Sequence, residues 1–133
     1  MNPIFHEIFQ KTRYLSKELN HTLKEYDLYA AQWSVLYVVH ENEEMTLTQI
    51  WKYLNVEAPT ISRTVQRLIE LGWLTEKFGE DRREKMVRLS EDAEKKFKTI
   101  EESVINFENQ FLQELSLEEQ NQLVILLKKL KKG

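Results

Sequence analysis

The sequence is 133 residues long, which is the length of one domain, or of one domain with an extension for dimerisation. It contains no cysteine, which excludes disulfides, thiolate metal sites and a cysteine nucleophile, and its 3 glycines and 2 prolines argue against an all-β or loop-rich fold. The 19 basic and 22 acidic residues give a formal charge of −3, so a nucleic-acid site has to be a local patch rather than a basic surface.

The first two predicted helices differ in how their apolar residues are distributed. One begins at Pro3, with Asn2 as its N-cap, and runs to about Glu25 with a single apolar stripe. Because one small domain rarely covers so long a stripe, this helix needs a second packing partner. The next helix, residues 30–41, is apolar nearly all round and is therefore expected to be central.

The centre of the sequence predicts a short helix, a longer helix and a β-hairpin. Thr46 and Gln49 form a capping box that opens the short helix, and Asn55 is suited to ending it. The longer helix has Pro59 in its first turn and stops at Gly72. Two short β-like runs follow, WLTEKFG and KMVRLS, joined by a polar turn. This order is that of a helix-turn-helix with a wing.

Two further helices complete the chain. Ser90 caps a helix that is expected to run to about Glu114. Its apolar residues follow heptad spacing and are Phe97, Ile100, Val104, Phe107 and Phe111. Ser116 and Glu119 form a second capping box at the start of the last helix, which is rich in leucine and ends in lysines. The heptad spacing indicates that one narrow face of the longer helix packs on another helix.

The polar side of the helix that begins near Pro59 has side chains suited to reading DNA. The candidate DNA-contacting residues on it are Pro59, Thr60, Ser62, Arg63, Gln66 and Arg67. Arginine can bond a guanine edge with two hydrogen bonds, glutamine can pair with adenine, and serine or threonine can reach bases or phosphates. The free N–H groups of a helix N-terminus also favour phosphate. The alternative is that these are ordinary surface residues.

The turn of the hairpin supplies a second candidate DNA contact, through Arg82 and Arg83. A narrow minor groove has a strongly negative potential that attracts arginine. Asp81 is useful there if it accepts hydrogen bonds from an arginine and holds it in one pose; alternatively it is a common turn residue. Lys77, Arg83 and Arg88 are expected to remain available to solvent.

The local charge of this region is modest. Residues 57–88 hold seven basic and six acidic side chains, a sum of +1, against 12 − 16 = −4 for the rest of the chain. Backbone contacts from one subunit therefore give limited affinity, and a dimer that doubles them would relieve this.

These residues resemble the MarR family of bacterial transcriptional regulators, and the resemblance covers nearly the whole chain. The family's wing pattern D-x-R-x-x-x-V-x-L-[ST] is present as Asp81, Arg83, Val87, Leu89 and Ser90. The recognition helix is similar through Thr60, Ser62, Arg63, Leu68 and the ending Gly72-Trp73-Leu74. The block LYAAQWSVLYVVHENEEMTLTQIWKYLNV is similar to the family's second and third helices. Ala93 departs from the glycine often found there, which is a small change at a helix start.

The resemblance implies a mainly α-helical fold with a two-stranded β wing, in a single domain over residues 1–133. Residues 1–28 and 91–133 are expected to form dimerisation helices, and residues 30–90 the winged helix-turn-helix lobe. The function implied is a dimeric, sequence-specific repressor of a pseudo-palindromic operator in double-stranded DNA. Its recognition helices would enter consecutive major grooves.

The same likeness assigns roles to the wing. Asp81 would orient an arginine, and Arg83 would insert into the flanking minor groove.

A small aromatic or phenolic effector is compatible with the resemblance, but nothing in the sequence identifies one. Tyr14, Trp33 and Tyr37 are the candidate pocket residues, and packing in the core is the favoured alternative. No cofactor and no metal are expected, since the three histidines lack ligand spacing. The absence of cysteine removes the family's peroxide-sensing branch.

An enzyme is not expected, because the sequence has no Gly-rich phosphate loop, no H-E-x-x-H and no nucleophile elbow. No apolar run is long enough to span a bilayer and the N-terminus does not read as a signal peptide, so we expect a cytoplasmic protein without a membrane partner. The alternative function is a winged-helix module for protein–protein contact without DNA binding. Fold alone cannot separate the two, whereas salt-dependent, sequence-selective binding to duplex DNA can.

Overall fold

A computed structural model of the chain describes residues 1–78 and 84–131. These residues form a mainly helical fold with a small antiparallel sheet. In chain order the elements are α1 (Pro3–Leu23), α2 (Ala30–Glu41), β1 (Met45–Thr46), α3 (Leu47–Leu54), α4 (Ala58–Glu70), β2 (Leu74–Phe78), β3 (Lys85–Leu89), α5 (Glu91–Phe111) and α6 (Leu117–Lys129). The predicted order of helix, helix, helix-turn-helix, hairpin, helix and helix is confirmed.

The connection from α1 to α2 is tighter than the sequence predicts. α1 ends at Leu23 rather than near Glu25, because a single 3-10 turn follows and Asp27 then takes a left-handed backbone conformation with φ 57°. The Ala30 amide donates to Asn20 Oδ1 at 2.6 Å. The Asn20 side chain of α1 thus accepts a hydrogen bond from an otherwise free N–H at the start of α2, and this contact fixes the angle between the two helices.

Both predicted capping boxes are confirmed. Thr46 Oγ1 accepts from the Gln49 amide at 3.1 Å, and Gln49 Oε1 accepts from the Thr46 amide at 2.9 Å. Ser116 and Glu119 repeat the pattern at 3.1 and 2.9 Å. Asn55 ends α3 with φ 56°, a left-handed conformation that asparagine tolerates better than most residues.

The sheet has a third strand that the sequence analysis missed. The strand order is β1-β3-β2, so the hairpin partner β3 lies in the middle and the two-residue β1 pairs with it. Met45 lies opposite Val87, and both side chains are buried. This pairing joins the base of the wing to the segment that leads into α3.

The core surrounds α2, as its apolar composition predicts. Val35, Leu36 and Val39 of α2 are almost completely buried. Trp33 stacks on Phe97 of α5, with 5.1 Å between ring centroids. The N-terminal half of α5 therefore belongs to the same core as the helix-turn-helix. α5 ends at Phe111, three residues before its predicted limit.

The apolar residues at the two ends of the chain are largely uncovered. α6 buries none of its side chains, although leucine, isoleucine and valine make up much of it. Ile4, Phe5 and Phe9 of α1 are also exposed. Within the described residues, no helix has the length and apolar character needed to cross a membrane.

Candidate nucleic-acid interface

The side of α4 that faces solvent is the side that carries the predicted DNA-contacting residues. Ile61, Val65 and Leu68 are buried against the core, and this stripe fixes the rotation of the helix. The exposed residues on the remaining surface are Pro59, Ser62, Arg63, Gln66, Arg67 and Glu70. Thr60 is half-buried at the edge of this surface, and its carbonyl oxygen accepts from the Thr64 hydroxyl at 2.9 Å.

The two arginines of α4 have different surroundings. Arg67 Nη1 lies 3.4 Å from Glu70 Oε2, in an exposed pair one turn apart. Arg67 also borders a cavity that is lined from α1 by Lys17 and His21. For Arg63, no carboxylate in residues 1–78 or 84–131 lies within ion-pair distance. Arg63 can therefore offer two parallel N–H donors of its guanidinium to a base edge, whereas the Arg67 guanidinium has first to exchange its carboxylate partner.

The N-terminus of α4 leaves backbone donors open. Its N-cap residue, Glu57, makes no side-chain capping hydrogen bond, and Pro59 has no N–H to satisfy. The adjoining groove is bordered by Lys52, whose Nζ lies 5.7 Å from the centre of the Trp51 ring. Sequence reasoning did not select Lys52, because its placement beside the α4 N-terminus depends on the turn between α3 and α4.

Two lysines of the β2–β3 hairpin, Lys77 and Lys85, are paired with carboxylates. Lys77 Nζ lies 2.8 Å from Glu44 Oε2, and Lys85 Nζ lies 3.7 Å from Glu76 Oε2. The expectation that Lys77 and Arg88 remain exposed to solvent is confirmed. The Lys77 ammonium is in addition paired with the Glu44 carboxylate.

The predicted contacts at the wing turn, Asp81, Arg82 and Arg83, lie outside the described residues and stay predictions. Phe78, which sequence reasoning did not select, ends β2 with 61% of its surface exposed. The sequence around Phe78 did not indicate that this side chain would be exposed at the end of β2.

The three aromatic candidates for an effector pocket lie in two places. Trp33 is buried and stacks on Phe97, and Tyr37 is 6.2 Å from Trp33 between ring centroids. Tyr14 instead stacks on Phe111 at 5.8 Å. Phe97 and Phe111 are 14 residues apart on one helix, which corresponds to about 21 Å. Within one chain, Tyr14 is thus far from the other two rings.

The surroundings of Tyr37 are acidic. The Glu41 carboxylate, followed by burial and the carboxylates of Glu101 and Glu108, raises the pKa of the Tyr37 phenol. Burial, and then the neighbouring Glu101, raises the pKa of the Glu108 carboxyl. The phenol is therefore a neutral hydrogen-bond donor at pH 7, in a field that disfavours anions.

Comparison with known proteins identifies similar families, sequences and structures. A family model described as a winged helix DNA-binding domain matches residues 28–93. A Bacillus subtilis protein, the uncharacterized HTH-type transcriptional regulator YwoH, is 46% identical over 109 residues, which are 82% of this chain and 80% of that protein. The solved structure of the transcriptional regulator SlyA is 26% identical, with a TM-score of 0.87, covering 95% of this chain and 89% of that one.

A further solved structure, a mutant of MarR from E. coli complexed with operator DNA, has a TM-score of 0.91. It covers 98% of this chain and 95% of that one. At 24% identity, this likeness shows a shared fold.

Proposed function

Because the chain belongs to the MarR family of winged-helix transcriptional regulators, we propose that it is a dimeric repressor of a pseudo-palindromic operator in double-stranded DNA. The observation that carries this proposal is the rotation of α4. Its apolar stripe is locked in the core, so its polar residues face outward as one surface. A helix held in this way can enter the major groove of DNA.

The reading of bases falls mainly to Arg63 and Gln66, which are one turn apart on the exposed surface. Arginine matches the O6 and N7 atoms of guanine, and glutamine matches the N6 and N7 groups of adenine. Ser62 and Thr60 are suited to phosphates or base edges, and Pro59 lies at the helix start nearest the backbone. Arg67, paired with Glu70, is suited to a phosphate, because an exposed ion pair is easily exchanged.

The proposed homodimer is supported by the exposed apolar side chains at the two ends of the chain. The residues of α6 and the start of α1 include many large apolar side chains that are exposed in the single chain, and clustered exposed apolar side chains mark interaction surfaces. We assign residues 1–28 and 91–133 to the dimerisation layer and residues 30–90 to the winged-helix lobe. Two lobes held by one layer would present two copies of the α4 surface to one duplex, as a two-fold symmetric site requires.

The wing is assigned to the minor groove beside each half-site. Arg82 and Arg83 would supply positive charge, and Asp81 would hold an arginine in position. Support for this assignment comes from the family's wing pattern together with the strong attraction of a narrow minor groove for arginine.

Control by a small aromatic or phenolic effector is a secondary proposal. Tyr37 and Tyr14 have accessible rings, whereas Trp33 is only 6% exposed and serves the core. The carboxylates around Tyr37 favour a neutral or cationic aromatic ligand over an aromatic acid. Such a ligand would act by preferring a dimer whose recognition helices do not match the groove spacing.

The competing function, a winged-helix module for protein–protein contact, is separated from ours by a titration. Affinity for a selected duplex and for a scrambled duplex of the same length is measured between 50 and 200 mM salt. Over this range, added salt weakens binding that depends on phosphate contacts by roughly 10³ to 10⁵. We expect clear preference for the selected duplex and a steep salt slope. Equal, weak binding to both duplexes would favour the protein–protein module.

A further inference from the structure

The ion pair between Lys77 and Glu44 crosses the whole sheet at the base of the wing. Lys77 lies opposite Met86 on β3, and Thr46 of β1 lies opposite the same Met86. Residues directly opposite share a face, so Thr46 and Lys77 lie on one side of the sheet, about two strand spacings or roughly 10 Å apart. Glu44 lies just before β1, at the end of the turn that follows α2. The ammonium nevertheless reaches the carboxylate at 2.8 Å.

Glu44 is held firmly by the turn that ends α2. The Asn42 side chain donates to the Val38 carbonyl at 2.7 Å, and the Glu44 amide donates to the Asn42 carbonyl at 2.7 Å. Glu43, between them, has a left-handed backbone with φ 65°. The Glu44 carboxylate is half-buried at the end of this turn, so its position is set by the core helix α2.

We propose that Glu44 is a positioning residue for the wing: by holding the Lys77 ammonium across β3, it sets the angle at which the β2–β3 ribbon leaves the core. Lys77 belongs to an edge strand, and only one residue of β2, Leu74, is buried. Few apolar contacts therefore fix the outer part of this strand. The Lys77–Glu44 ion pair supplies a contact that fixes the outer part of β2 and ties this strand to α2. The consequence for DNA affinity rests on the function proposed above.

The direction in which one substitution changes DNA affinity separates this proposal from a purely electrostatic role for Lys77. If Lys77 served only as a cation for phosphates, Glu44→Gln would release it and remove a negative charge, so DNA would bind more tightly. If Glu44 positions the wing, the same substitution weakens binding despite the more favourable charge. Both side chains of the pair are partly exposed to solvent, and an exposed ion pair contributes little to stability. Because the dimer has two wings, we expect roughly threefold to fivefold weaker binding to DNA.

The experiment compares Glu44→Gln with Glu43→Gln in the full-length protein, by operator affinity and by hydrogen exchange of the β2 and β3 amides. Glu43→Gln removes the same charge from the same turn but leaves the Lys77 pair intact. We expect faster exchange in β2 and weaker binding for Glu44→Gln only. In the Glu44→Gln background, Lys77→Met should add little further loss, because the pair is already broken.

Tighter binding of Glu44→Gln, or unchanged exchange in β2, would overturn the positioning role. Hydrogen exchange is measured without DNA, so it judges the positioning of the wing even if the parent protein binds no duplex. In that event the proposed function fails, and faster exchange confined to Glu44→Gln still supports the tether.

Discussion

Replacing Leu127 by alanine is expected to weaken the dimer strongly while leaving each subunit folded. Leu123 and Leu127 lie about 40° apart on the α6 wheel, given 3.6 residues per turn, and both are exposed in the single chain. Alanine preserves the helix, because its helix propensity is at least that of leucine. The substitution therefore removes interface area without disturbing the core.

The magnitude follows from the exposed fraction of the side chain. Full burial of a leucine stabilises by roughly 1.5–3 kcal/mol, and Leu127 is 51% exposed, so dimerisation can still recover about 0.7–1.5 kcal/mol from it. A two-fold interface uses the residue twice, which gives about 1.5–3 kcal/mol. The dimer dissociation constant should then rise by roughly 10- to 150-fold.

Sedimentation equilibrium over a range of protein concentrations measures this constant directly. Tyr53→Ala is the matched control, because Tyr53 is 70% exposed on α3, in the lobe that we assign to DNA rather than to the dimer. The control should dimerise like the parent. Equal dissociation constants for Leu127→Ala and the parent would refute the assignment of α6 to the interface.

Three further substitutions test the DNA-binding surfaces and the acidic cluster. Arg63→Ala should cost roughly 1–3 kcal/mol of binding to the selected operator and relax specificity at one position of each half-site, as quantitative footprinting on variant operators would show; unchanged specificity would contradict base reading. Arg83→Ala should lower operator affinity and reduce the salt slope with no change in the dimer constant; a larger monomer fraction would contradict its place in the wing. Glu108→Gln should raise the thermal midpoint slightly at pH 7, because the folded chain raises the pKa of the Glu108 carboxyl above its ordinary 4.5 and so disfavours the ionised form. That gain should shrink as the pH falls through the raised pKa of Glu108 in the folded chain, and it should be absent below 4.5, where the unfolded chain also binds the proton; a gain that is independent of pH would contradict an electrostatic origin.

Features set by neighbouring residues in the chain were predictable from the sequence. The capping boxes at Thr46 and Ser116 depend on residues three apart, and both are present. The exposure of Arg63 follows from the apolar stripe of α4, since helical periodicity alone fixes which side is buried.

Features set by pairing across the chain were not predictable. β1 is only two residues long, too short for any alternation to reveal it, and it forms because Met45 meets Val87. The pair of Glu44 with Lys77 joins residues 33 positions apart, and the strand order of the sheet is what brings them together. The pairing of Arg67 with Glu70 is local, and its spacing of three residues was an available signal.

The most direct test is to select bound duplexes from a random DNA pool at fixed salt and to read the symmetry of the enriched sequence. We expect an inverted repeat whose half-sites are centred about one helical turn, roughly 10 base pairs, apart, bound by two chains. An asymmetric motif bound by one chain, or no enrichment at all, would contradict it.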